Sequence, residues 1–158
     1  MSKLLDTKEF LDTVCQLLEQ GERNVPVPVT GSSMIPFLHN GDMVYLNLPG
    51  DKLNRGDIVL YRRESGQYVL HRVCRVTESG VCLVGDAQQE IEYLPNRQWV
   101  LGKVTAVRHG GKLVTPKTLR WQFYKRVWLL LRPVRQFSKC FPKIPSDQNA
   151  GVRPETLP

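Results

Sequence analysis

Between Val25 and Val107 the chain is cut into short runs of β-branched, aliphatic and aromatic residues, each too brief for a helix of several turns. The runs are Val25–Val29, Met43–Asn47, Asp57–Tyr61, Gln67–Val76, Val81–Val84 and Trp99–Val107. Asn40-Gly41, Pro49-Gly50, Arg55-Gly56 and Ser79-Gly80 separate them, and Gly110-Gly111 closes the series. Residues that suit a pleated surface, interrupted by residues that suit tight turns, predict a compact, mostly antiparallel β domain. Pro26 and Pro28 lack the N–H that a central ladder requires, so the first run is expected at an edge.

Two helical patterns flank these runs. From about Thr7 to Gln20, Phe10, Leu11, Val14, Leu17 and Leu18 form one apolar stripe; Asp6 and Glu9 suit a capping-box variant and Gly21 a stop. After the β runs, Thr115 followed by Pro116 resembles a helix start, with a helix expected to Pro133. Its apolar residues cover more than half of the wheel, with Arg120 inside that sector, and Lys125, Arg126 and Arg132 take the remainder. Two readings stay open for residues 116–135: a helix packed across the β domain, or one lying in a lipid interface with its basic face toward anionic headgroups. Four segments result: 1–21 helical, 22–113 β-rich, 114–141 basic and helical at first, and 142–158 an expected disordered tail.

Charge narrows the function classes. Residues 1–116 hold 13 Lys/Arg and 13 Asp/Glu, whereas 117–158 hold 9 Lys/Arg against Asp147 and Glu155, so the net +7 belongs to the tail. No nucleic-acid-binding module accompanies that tail, and no nucleic-acid partner is expected. No run approaches the ~20 apolar residues of a membrane span, and Asp6, Glu9 and Asp12 interrupt any secretory h-region. The chain is therefore expected in the cytoplasm, with peripheral membrane contact as the possible exception. Cys15, Cys74, Cys82 and Cys140 form no C-x-x-C pair and are expected as reduced thiols. No metal or cofactor is expected.

The residues with chemical potential lie within the β domain. On the run Gln67–Val76, alternation places Val69, His71, Val73 and Arg75 on one face, and Leu70, Arg72, Cys74 and Val76 on the other. An imidazole between two valines is partly buried, and burial favours the neutral form that a general base needs. Its second nitrogen needs a partner. Asp86 follows the next strand, and Glu90 and Glu92 are alternative acids. A serine from "VTGSSMIPFLHNGD" could then act as nucleophile, in the chain order Ser33, His71, Asp86. His39 and His109 are read as turn residues, and the pairs Gly41-Asp42 and Gly56-Asp57 as turn chemistry.

These stretches together resemble the signal peptidase I (S26) serine peptidases, within the wider S24/S26 superfamily that includes the self-cleaving LexA-type repressors. "GSSMIPFLHNGD" is similar to the box G-x-S-M-x-P-x-L…G-D, whose serine before methionine is the nucleophile. "GDIVLYR", "VLHRV" and "LVGDAQQE" resemble the three boxes that follow, with His-Arg in the third as in the endoplasmic-reticulum type. The resemblance spans roughly Val25 to Arg108. It implies a mainly β fold, a coiled antiparallel sheet of the signal-peptidase/LexA kind with the two flanking helices, and serine endopeptidase activity. Ser33 would be the nucleophile, His71 the base and Asp86 the third acid or a structural neighbour. The Ser33 N–H, helped by Ser32 or Thr30, would meet the oxyanion, with Met34 and Phe37 as apolar walls. The substrate would be a peptide or protein bound extended, and the second family acid falls on Glu92. A LexA-like self-processing peptidase and a non-enzymatic peptide-binding module are the alternatives. True signal peptidases carry a transmembrane anchor, and no such run occurs in this sequence.

Overall fold

Period-2 hydrophobic runs joined by turns form a single sheet. A computed structural model describes residues 2–50 and 52–128. Its elements are helix α1 (Ser2–Glu19), strands β1 (Val25–Pro28), β2 (Met43–Asn47), β3 (Ile58–Arg62), β4 (Tyr68–Val76), β5 (Val81–Val84), β6 (Glu92–Leu94), β7 (Val100–His109) and β8 (Lys112–Val114), and helix α2 (Leu119–Phe123). The strands lie in the order β1-β2-β7-β3-β4-β5-β6, with β8 paired to β7, and every pairing is antiparallel. β1 is an edge strand, as its prolines require. The mainly β architecture is the expected one. β6 and β8, three residues each, were too short to show a period in the sequence.

The sheet buries apolar side chains on both faces. On one, Val14 and Leu18 of α1 pack with Val27, Val44, Leu46, Ile58 and Val104. Gly102 permits that approach, since a Cβ there would lie 3.1 Å from Leu18 Cδ1. On the other face, Val59, Tyr61, Val73, Val81, Leu83, Leu94 and Val100 form a second cluster. Each fully buried Val or Leu contributes roughly 1.5–3 kcal/mol, so both clusters matter to stability.

Helix boundaries differ from those expected. α1 begins at Ser2, before Asp6, so Asp6 does not mark its start. Only Leu11, Val14 and Leu18 of the expected stripe face the sheet; Phe10 and Leu17 are exposed. Gly21 ends the helix as expected: at φ +91° its N–H donates to the Leu18 carbonyl, and Glu22 N–H donates to that of Leu17.

At the other end Thr118, not Thr115, is the N-cap, and its Oγ1 accepts from Trp121 N–H. The Thr115 carbonyl accepts instead from Thr118, in a turn ahead of α2. α2 passes directly into a π-helical turn, Tyr124–Trp128. Trp121 is buried and meets Phe37 edge-on at 5.4 Å, so the segment packs on the domain. Leu119, Phe123 and Val127 face outward. Whether the helix reaches Pro133, and the expected tail from 142, fall outside the described residues. Among the described residues no helix is long and apolar enough to cross a membrane. Cys15 and Cys74 are reduced, as expected, but Cys82 is disulfide-bonded, which corrects the expectation of four reduced thiols.

Candidate active site

The loop between β1 and β2 carries Ser32, Ser33 and Met34. Its base is closed by Val29 N–H to the Asp42 carbonyl (2.7 Å) and Gly41 N–H to the Val29 carbonyl (2.9 Å). Within the loop, Ser32 and Met34 carbonyls accept from Ile35, Phe37 and Leu38, winding the chain through a tight turn. Ser33 is half-buried and Ser32 exposed. A cleft of about 270 Å³ opens beside the loop, lined by Thr30, Ser33 and Met34 together with Tyr68, Leu70 and His71. The fold thus brings Ser33 and His71, far apart in sequence, to one cavity.

The turn after β5 holds the serine loop in place. Ala87 N–H donates to the Ser33 carbonyl at 2.9 Å. Gly85 allows this approach, because a Cβ at that position would lie 2.6 Å from the same carbonyl oxygen. A glycine is needed here for contact and not for its backbone angle.

His71 is almost wholly buried. Its Nδ1 lies 3.1 Å from the Tyr61 hydroxyl and 3.6 Å from Glu92 Oε1. Tyr61 donates its one proton to Glu92 Oε2 at 2.8 Å. Burial, and then the hydrogen bond and charge of Glu92, push the Tyr61 phenol far above its ordinary range, so it stays a neutral hydroxyl. Burial also opposes ionisation of Glu92, but hydrogen bonds from Arg63 and Tyr61 and the Arg63 charge outweigh it and hold the carboxyl below its usual range. With its proton committed to Glu92, the Tyr61 oxygen can only accept from His71. That pattern assigns the proton to Nδ1 and makes Nε2 the basic nitrogen of the ring.

The acid beside His71 is therefore Glu92 and not Asp86. Strand register explains why. Val73 pairs with Leu83, and Leu83 with Glu92, which puts Glu92 on the His71 face; Val59 and Tyr61 reach that face from β3. Arg72 pairs with Val84, so Asp86, two residues on, falls on the opposite face. There its carboxylate takes a bidentate pair from Arg72, at 2.8 and 2.6 Å, with both side chains buried. Arg72 also donates to the Gly56 carbonyl and lies 5.0 Å over the Phe37 ring. Breaking such a buried pair by removing one partner costs about 3–5 kcal/mol.

The remaining sequence candidates separate cleanly. Phe37 is a core residue between Trp121 and Tyr124, not a wall of the cleft. Glu90 is exposed. Expected face assignments hold through Val73, but a register shift between Val73 and Arg75 lets Val76 pack with the Val73 cluster. Tyr61 and Arg63 were not singled out from sequence. Pairing Asp57–Tyr61 with Gln67–Val76 across Ser65-Gly66 would have placed Tyr61 opposite Val69, on the His71 face.

Residues 3–105 match the family model described as Peptidase S24-like. No curated protein matches the chain.

Proposed function

Because the chain belongs to the S24-like peptidase family, we propose that it is a serine endopeptidase of the Ser/His kind, in which Ser33 attacks and His71 is the general base. The observation that carries this is the shared cleft of Ser33 and His71, with the imidazole held through Nδ1 by Tyr61 and Glu92. Nε2 takes the Ser33 Oγ proton as Oγ bonds to the scissile carbonyl carbon. The imidazolium then gives that proton to the leaving amine, and water hydrolyses the Ser33 ester with His71 again as base. Glu92 faces the charge that develops on His71. Thr30, which lines the cleft as Ser32 does not, would be the hydroxyl that assists the Ser33 N–H at the oxyanion. An extended peptide would run along Val29–Gly31 and Tyr68–Leu70, which both line the cleft. The His-Arg pair at 71–72 favours the signal-peptidase type within this superfamily. The S24 match favours cleavage within the chain itself as the second reading.

Covalent labelling with a serine-directed phosphonate and hydrolysis of a peptide library test the proposal. Ser33→Ala and His71→Ala are expected to lose activity by a factor on the order of 10⁴ or more, whereas Ser32→Ala keeps most of it. Undiminished labelling of Ser33→Ala would sink the assignment. A shortened chain appearing on incubation of wild type, but not of Ser33→Ala, would select self-processing.

A further inference from the structure

Asp42 precedes β2 and His109 ends β7, and the Met43–Arg108 pairing places them side by side at one end of that ladder. His39 reaches them through a tight turn: its backbone N–H donates to Asp42 Oδ2 at 2.9 Å, and Asp42 N–H returns to the His39 carbonyl at 3.1 Å. Asp42 is buried, its Oδ1 2.7 Å from His109 Nδ1 and its Oδ2 3.9 Å from His39 Nδ1. The two imidazoles lie with ring centres 5.0 Å apart. One donor atom from each of the three residues falls within 4.8 Å of the others.

His39 Nδ1 is the telling atom. It is buried from solvent and has no hydrogen-bond partner among the described residues, although a carboxylate stands just beyond hydrogen-bond reach. Leaving a buried polar atom unmatched costs about 1–3 kcal/mol. A cation between the nitrogen and the carboxylate would resolve both. We infer that His39, Asp42 and His109 form a binding site for a transition-metal dication of the zinc class.

The donor chemistry selects that class. Two imidazoles and one carboxylate suit zinc and its neighbours, whereas calcium and magnesium take oxygen ligands. Tetrahedral bonds of about 2.0–2.1 Å set donors roughly 3.3 Å apart, a small adjustment from the present separations. Each carboxylate oxygen has two lone pairs, so Oδ2 can keep the His39 N–H and still bind metal. The fourth position would be left to water or another ligand. Two of the ligands belong to the loop whose base is closed by Asp42 and Val29, so the ion would clamp the loop that carries Ser33 to the end of β7. This site is separate from the His71–Glu92 pair and goes beyond the proposed peptidase activity.

Calorimetric titration of zinc chloride into the chelator-treated full chain tests it. One ion per chain is expected, with His39→Ala and His109→Ala each weakening affinity at least about tenfold, and His71→Ala binding like wild type. Both histidine side chains are partly exposed, at 42% and 40%, so their removal leaves the core intact, which circular dichroism of each variant checks. Cobalt(II) is the second probe: wild type should give the intense visible bands of a tetrahedral site, and His109→Ala should lose them. Absence of both zinc heat and cobalt bands in wild type overturns the inference. So does undiminished binding in the His39→Ala/His109→Ala double variant.

Discussion

Tyr61 shows how one side chain can set the chemistry of another. A hydroxyl has one proton, and Tyr61 gives its proton to Glu92, so the imidazole must present N–H to it. Tyr61→Phe keeps the ring that packs against Val73 and Val100 but removes the relay. The expected result is a fall in kcat of about 10–10²-fold with KM nearly unchanged, because orientation of the base matters in the transition state and not in substrate binding. Thermal unfolding separates this from a packing defect. A variant with lowered Tm and unaltered kcat would assign Tyr61 to structure alone. Asp86 teaches the converse: an acid close to His71 in sequence serves Arg72, because a strand sends alternate side chains to opposite faces.

Among the elements, β6 is short but tied closely to its surroundings. Its three residues complete the sheet edge, and Glu92 ties that edge to β3 through Arg63 and Tyr61. Glu92 is held below its ordinary value of 4.5, so its ionised form stabilises the fold. That contribution is fully present above the unfolded value and is lost as pH falls through the lower folded one. Urea unfolding of wild type and Glu92→Gln should therefore differ by a constant amount near neutrality, and the gap should close once pH drops below about 4.5. A gap that persists unchanged in strong acid would place the ion pair outside the stability of the sheet. The Gly-Asp turns show a related economy. Asp42 and Asp57 cap their turns, accepting from the N–H of His39 and Asn54, while Asp42 holds His109 and Asp57 holds Lys103 and Lys125. Turn chemistry was the right reading of these pairs, and only half of it.

Across the whole molecule, the segment after β8 belongs to the core. Trp121 enters the same cluster as Val14, Leu18 and Phe37, and Lys125 reaches back to Asp57. Trp121→Ala should cost about 3–5 kcal/mol in chemical denaturation, while Leu119→Ser, at a side chain 88% exposed, should stay within about 0.5 kcal/mol. Equal effects at both positions would mean that the helix does not pack as described. Removing everything after residue 113 would also strip the core of Trp121, so the lipid reading of residues 116–135 is better probed by polar substitution at Leu119, Phe123 and Val127.

The alternation of short apolar runs and Gly-rich turns determined the β class, most strand positions and the edge placement of β1, since each follows from local backbone preference. The wording around Ser33 and His71 was enough to identify both as candidates. Pairing lies beyond local preference. Glu92 and not Asp86 stands beside His71, Tyr61 joins them, and His39, Asp42 and His109 meet, because register in four ladders sets where each residue falls. A shift of one residue in a ladder would exchange the two faces and dissolve the constellation which that ladder holds.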